Sequence, residues 1–177
     1  MTLKIATITV TGAGALAENF SWNAASEDYA VIADATNRIY RGQIPAGKAA
    51  AQLTLADGTT TYFYTKLSDA VVGANNNPGS TLKLLQDAST AGRIALSKSY
   101  TVDLNGKTWK VNGYLDVMAT GDVHFINSNK DQGGTLDGTN SAEFVLNIRG
   151  GSVTIGEDVT VIGNTILLAN ADNGKLT

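Results

Sequence analysis

From Thr81 onward this sequence is a run of short β-like phrases cut apart by glycine-containing pairs, and that rhythm restricts the fold more than any other feature. The phrases are "TLKLLQD", "GRIALSKSYTVDLNGKTWKV", "GYLDVMATGDVHFINS", "GGTLDGTN", "EFVLNIRGG", "SVTIGEDVTVIGN" and "TILLANA". Each holds segments of roughly three to six residues in which Val, Ile, Leu and Thr alternate. Asn-Gly, Asp-Gly, Gly-Gly and Gly-Asp divide them, because Gly and Asn accept the positive φ of a tight turn. "YTVDLNG", "GDVHFIN", "AEFVLNI" and "NTILLAN" recur at a coarse period of about 20 residues. A unit of that size with several tiny strands cannot bury its own inner face. Stacking the units lines up inward Val, Ile, Leu and Phe and pairs each strand with the coil on either side.

The first half reads differently. "TITVT", "YAVIADA" (29–35), "NRIYRGQI" (37–44), "AQLTLAD" (51–57) and "TTYFYT" (60–65) look like strands or hairpin arms with short polar connections. Residues 1–65 are therefore expected to form a small antiparallel β-region. In 66–80, Leu67, Ala70, Val71 and Ala74 recur at helical spacing before "NNNPGS" stops the helix. Residues 81–177 are expected to form the coils. The fold class is all-β: a right-handed parallel β-helix preceded by a small antiparallel β-region and a short capping helix.

"TLKLLQDA" followed by "RIALSKSYTVDLNGKTW" resembles the opening coils of pectin-lyase-like right-handed β-helices, especially those of large surface proteins of Firmicutes. The resemblance covers about residues 60–177. It implies that the helix in "TYFYTKLSDAVVGAN" closes the open end of the coil stack and keeps its edge from pairing with other chains. "NTILLANADNGKLT" stops in mid-repeat, which suggests a piece of a longer protein, or a C-terminal edge covered by a partner or by self-association.

Composition narrows the function. Apolar residues make up 43%, enough for a packed core, but charged residues only 16%, so the surface must be rich in Thr, Ser, Asn and Gly. The net charge of -3 comes without a basic cluster, which argues against nucleic-acid partners. No stretch is long and apolar enough to span a bilayer. The absence of cysteine excludes disulfides, thiolate metal sites and cysteine nucleophiles. "MTLK" and "ALA" imitate the ends of a signal peptide, but three threonines break the segment between them, which reads instead as a strand.

"TITVTGAGALA" also imitates a dinucleotide-binding turn, with Gly12, Gly14 and Ala17, and Asp34 about 20 residues on. The strand is half polar and no βαβ succession follows, so the glycines are expected to turn the chain and bind no cofactor. A polysaccharide lyase or hydrolase would need clustered carboxylates. The candidates are Asp103, Asp116, Asp122, Asp131, Asp137 and Asp158, with Arg149 or Lys130 as a basic partner. None forms an adjacent Asp-Asp pair, and turn capping explains such residues more simply. His124 alternates within a strand and reads as a wall residue. Asn127, Asn129 and Asp131 begin like a calcium loop, but Gln132 and Gly138 stand where Gly and Glu are required. No catalytic residue, cofactor or metal ligand is assigned. Tyr62, Tyr64, Trp109 and Tyr114 are the candidates for contacting a ligand, either by stacking on sugar rings or, more plainly, by packing at the junction (Phe63 beneath the helix) and over the first coils.

The expected function is a non-enzymatic structural or adhesive segment of a secreted or cell-surface bacterial protein, meeting a host glycan or host protein. The alternatives are a polysaccharide-binding or polysaccharide-degrading module and a phage or filament component.

Overall fold

The computed structural model describes residues 7–9, 30–34, 39–43, 46–141, 144–164, 166–169 and 174–177. The chain divides into two compact units, Met1–Lys48 and Ala49–Thr177.

In the first unit β1 (Thr7–Thr9), β2 (Ala30–Asp34) and β3 (Ile39–Gln43) form a sheet of order β1-β3-β2, antiparallel throughout, followed by a 3₁₀ turn at Ala46–Lys48. Gly12, Gly14 and Ala17 lie outside the described residues. Asp34 ends β2, where it pairs with Ile39 of the antiparallel β3. A dinucleotide fold would place parallel strands there.

The second unit is a parallel β-solenoid of about four turns. Its first sheet begins with β4 (Ala51–Thr54) and β5 (Thr61–Tyr64) and continues with β6 (Thr81–Leu84), β8 (Ser99–Asp103), β10 (Asp122–Ile126), β13 (Ser152–Ile155) and β16 (Lys175–Leu176). From β6 to β16 all neighbours are parallel. The second sheet holds β7 (Ala88–Leu96), β9 (Thr108–Val117), β11 (Gly134–Gly138), β12 (Leu146–Arg149), β14 (Val159–Gly163) and β15 (Ile166–Ala169). β9 pairs with β7 on one side. On the other it carries β11 along its first part and β12 along its last.

Alternation along each strand sends every second side chain into the bore, and parallel register stacks them in rows. Leu82, Val102 and Phe125 make one row; Trp109, Leu136 and Val161 another; Ile94, Leu115, Leu146 and Ile166 a third. Leu104 and Leu146 are fully buried, as inward residues must be. Glycines meet where the second sheet turns its corners. Gly92 lies against Gly113, and Gly138 against Gly163. A Cβ on Gly113 would collide with the backbone of Gly92, so only glycine lets the coils approach there.

Two elements cover the first turn. β4 lies antiparallel beside β6, with Ala51 and Leu53 fully buried against the end of the bore. The sequence pattern groups β4 and β5 with the opening β-region; through β4 they belong to the sheet of the coils. Helix α1 (Leu67–Asn76) buries Leu67, Ala70, Val71 and Ala74. Its Asn75 substitutes for a missing neighbouring strand. The Asn75 Nδ2 donates to the Ala95 carbonyl (2.8 Å), and its Oδ1 accepts from the Ser97 N–H (2.9 Å). The helix therefore closes the edge at the end of β7 with side-chain hydrogen bonds.

Candidate functional site

The outer face of the second sheet gathers the most chemistry. Lys110, Asn112, Tyr114 and Asp116 alternate outward along β9, away from the buried Trp109, Val111, Leu115 and Val117. Asp116 is nevertheless fully buried, because arginines from the coils on both sides fold over it. Arg93 of β7 reaches Oδ2 through Nε (2.5 Å). Arg149 of β12 forks onto both oxygens, Nε to Oδ1 at 2.9 Å and Nη2 to Oδ2 at 2.6 Å. Asn147 donates from Nδ2 to Oδ1 at 3.2 Å. These four hydrogen bonds fill the acceptor positions of a carboxylate. Both arginine side chains remain partly open, at 46% and 41% exposure. Each Nη2 also approaches the Met118 sulfur, at 3.2 and 3.3 Å. Among the described residues, two guanidiniums meet one carboxylate here.

Tyr114 sits beside Arg93 in register and meets Phe144 edge to face, with ring centroids 4.9 Å apart. The site thus brings together one of the four expected contact residues with Arg149. Trp109 requires a correction. It is fully buried, its indole tilted against Phe125 and its Nε1 donating to Thr90 Oγ1 at 2.9 Å, so it faces the bore and offers no groove surface. Its register neighbour Ala88 is small, which makes room for the indole. Tyr62 and Tyr64 share a face of β5, opposite the buried Leu53 and Ala51. Tyr62 remains 43% exposed. Tyr64, not Phe63, is the ring that packs on the core. A Cβ on Gly73 of α1 would strike its hydroxyl, and burial raises its pKa, with lesser contributions from Tyr62 and Asp69.

Most of the remaining candidate acids hold turns and coils together. Asp103 Oδ1 accepts from the N–H of Asn105 and of Ser128 (both 2.9 Å), and its Oδ2 from Ser128 Oγ (2.6 Å), tying adjacent coils. Asp137 caps Thr139 through N–H and hydroxyl, which lowers its pKa. Asp57 does the same for Thr59 and Thr60 and is brought down to about 2, chiefly by the Thr60 hydroxyl. Asp122 accepts from Ser152 Oγ and stands 3.4 Å from Nε2 of the exposed His124. Asp158 pairs with Lys130, raising the lysine's pKa, while Asp131 is exposed. In the calcium-like loop, Asn127 Oδ1 accepts from Gly106 N–H (2.6 Å) and Asn129 Oδ1 from Asp131 N–H (3.1 Å). The first of these bonds ties adjacent coils and the second holds the turn.

Asp116 therefore has no lone pair left for proton transfer, and Arg149 is committed to it. The patch can instead present two anchored guanidiniums beside an aromatic pair, a surface suited to an anionic or ring-bearing partner. No protein-family model matches the chain, and no match is found among curated proteins or solved structures.

Proposed function

We propose that this chain is a non-enzymatic structural and adhesive segment of a secreted or cell-surface bacterial protein. The observation that carries the reading is where its polar side chains go. Asp103, Asn105, Asp116 and Asn127 all bond from one coil to the next. Such ties stiffen a stack that gains about 4.8 Å of length with each turn. A closed first turn and a Thr- and Asn-rich wall suit a stalk that makes weak, repeated contacts with a host glycan or protein. Kinship with pectin-lyase-like β-helices of Firmicutes surface proteins belongs to the same proposal and rests on the phrase Tyr100–Thr108 and its helix-bearing lead-in.

The test is antibody labelling of intact producing cells, together with incubation of the purified chain on pectin and mucin polysaccharides. Surface labelling without release of unsaturated or reducing ends is expected. Turnover abolished by substituting Asp122 or Asp137 would overturn the non-enzymatic reading. A carbohydrate-binding module is the second reading, favoured by the Tyr114–Phe144 pair beside Arg93. Glycan-array binding lost in Tyr114→Ala would establish it.

A further inference from the structure

We propose that Met118 is an oxidation site whose sulfoxide the fold is built to accept. Oxidation of methionine ordinarily damages a protein, because a polar oxygen appears in an apolar contact. Met118 sits elsewhere. It follows β9 on the outer side of the second sheet and is partly exposed. Two cationic donors converge on its sulfur, the Nη2 of Arg93 at 3.2 Å and that of Arg149 at 3.3 Å. Both guanidiniums are held in place by the buried Asp116, so neither has to be recruited. A thioether is a weak acceptor, and these two contacts are poor uses of charged donors. A sulfoxide oxygen is a strong acceptor, and hydrogen bonds from charged donors are about twice as strong as neutral ones. The added oxygen can lie off the two S···N lines, within reach of both.

The oxidant is a hydroperoxide. With hydrogen peroxide, the sulfur lone pair takes one oxygen atom, the S–O bond forms as the O–O bond breaks, sulfur loses two electrons, and the other oxygen leaves as water. A methionine sulfoxide reductase reverses the change. The site would let a peroxide-exposed chain tighten the Arg93–Asp116–Arg149 clamp where most methionines would loosen their surroundings. This goes beyond the stalk reading and does not depend on it.

The experiment is thermal unfolding of the whole chain before and after hydrogen peroxide, with peptide mass spectrometry to locate the oxygen. Met1 is the other methionine of the chain, so Met118→Leu serves as the control. Oxidised protein is expected to melt roughly 2–4 °C higher than reduced protein. Met118→Leu should not respond to peroxide, and Met118→Gln, whose amide oxygen imitates the sulfoxide, should melt above Met118→Leu without any oxidant. Oxidised protein melting at the same temperature or lower, a matching response in Met118→Leu, or Met118→Gln melting no higher than Met118→Leu would each overturn the assignment.

Discussion

Three inward rows of the solenoid are sealed in their middle and looser in the fourth turn, while a further row stays sealed there at Val153, which β16 covers through Leu176. Leu115 and Leu146 are fully buried, while Ile166 beyond them in the same row is half-buried. Trp109 and Leu136 are likewise sealed, and Val161 is not. Phe125 is sealed and its neighbour Ile155 is half-buried. At the other end Leu82 and Leu84 are as buried as the middle of the stack, because β4 covers them. In a stacked fold each coil is buried by its neighbours, so a residue's contribution depends on what lies above and below it more than on its type.

The sharpest way to break this comparison is to place a charge in a sealed row and in a loose one. Leu146→Asp should abolish cooperative folding, since a carboxylate would be left without partner or water. Ile166→Asp, one coil on, should still fold. Far-UV circular dichroism with thermal melts checks both, and a folded Leu146→Asp would refute the rows as drawn. A gentler pair sharpens it. Leu136→Ala should cost about 2–5 kcal/mol, and Val161→Ala about 1 kcal/mol or less, in denaturant unfolding. Equal losses would mean that the fourth turn is as tightly packed as the third.

The polar clamp gives an intermediate effect. Asp116→Ala should cost about 2 kcal/mol, less than a wholly buried ion pair would, because both arginine side chains are partly exposed. Asp158→Ala, which breaks the exposed pair with Lys130, should stay within about 0.5 kcal/mol. One substitution should bring a gain. Tyr100 is buried in the bore, its hydroxyl has no hydrogen-bond partner among the described residues, and burial raises its pKa. Tyr100→Phe should stabilise the chain by about 1 kcal/mol at neutral pH. A folded pKa raised above the unfolded one means that Tyr100's share of stability is present below about pH 10 and is lost as pH rises beyond it. The variant should therefore unfold less readily in alkali. A Tyr100→Phe that is destabilised, with an unchanged alkaline limb, would show that the hydroxyl has a partner.

Much of the solenoid is legible in the sequence, for a physical reason. Period-two apolar alternation and positive-φ turn pairs act locally, so "YTVDLNG" and "GDVHFIN" announce strands and corners without reference to the rest of the chain. The amphipathic spacing of Leu67, Ala70, Val71 and Ala74 announces α1 in the same way. The candidate site is legible only in part. Tyr114 stands out by residue type, but Trp109 as an aromatic suits either side of β9, and only its alternation with Val111, Leu115 and Val117 marks it as inward. Asp116 and Arg149 stand out as a candidate carboxylate and a candidate basic partner, but their pairing and the part of Arg93 in the clamp escape sequence reasoning. Asp116 is 23 residues from Arg93 and 33 from Arg149, because the coils differ in length, so no fixed period connects them.

What the sequence determined by itself was therefore the set of elements: which segments are strands, where the chain turns, and that one face of each strand must be covered. What only the tertiary structure decided was which residues become neighbours across coils, and so which acid is buried, which tyrosine lies under the helix, and which arginines meet. Alternation and turn preference are properties of a few consecutive residues. Register between coils is settled only when the whole stack closes.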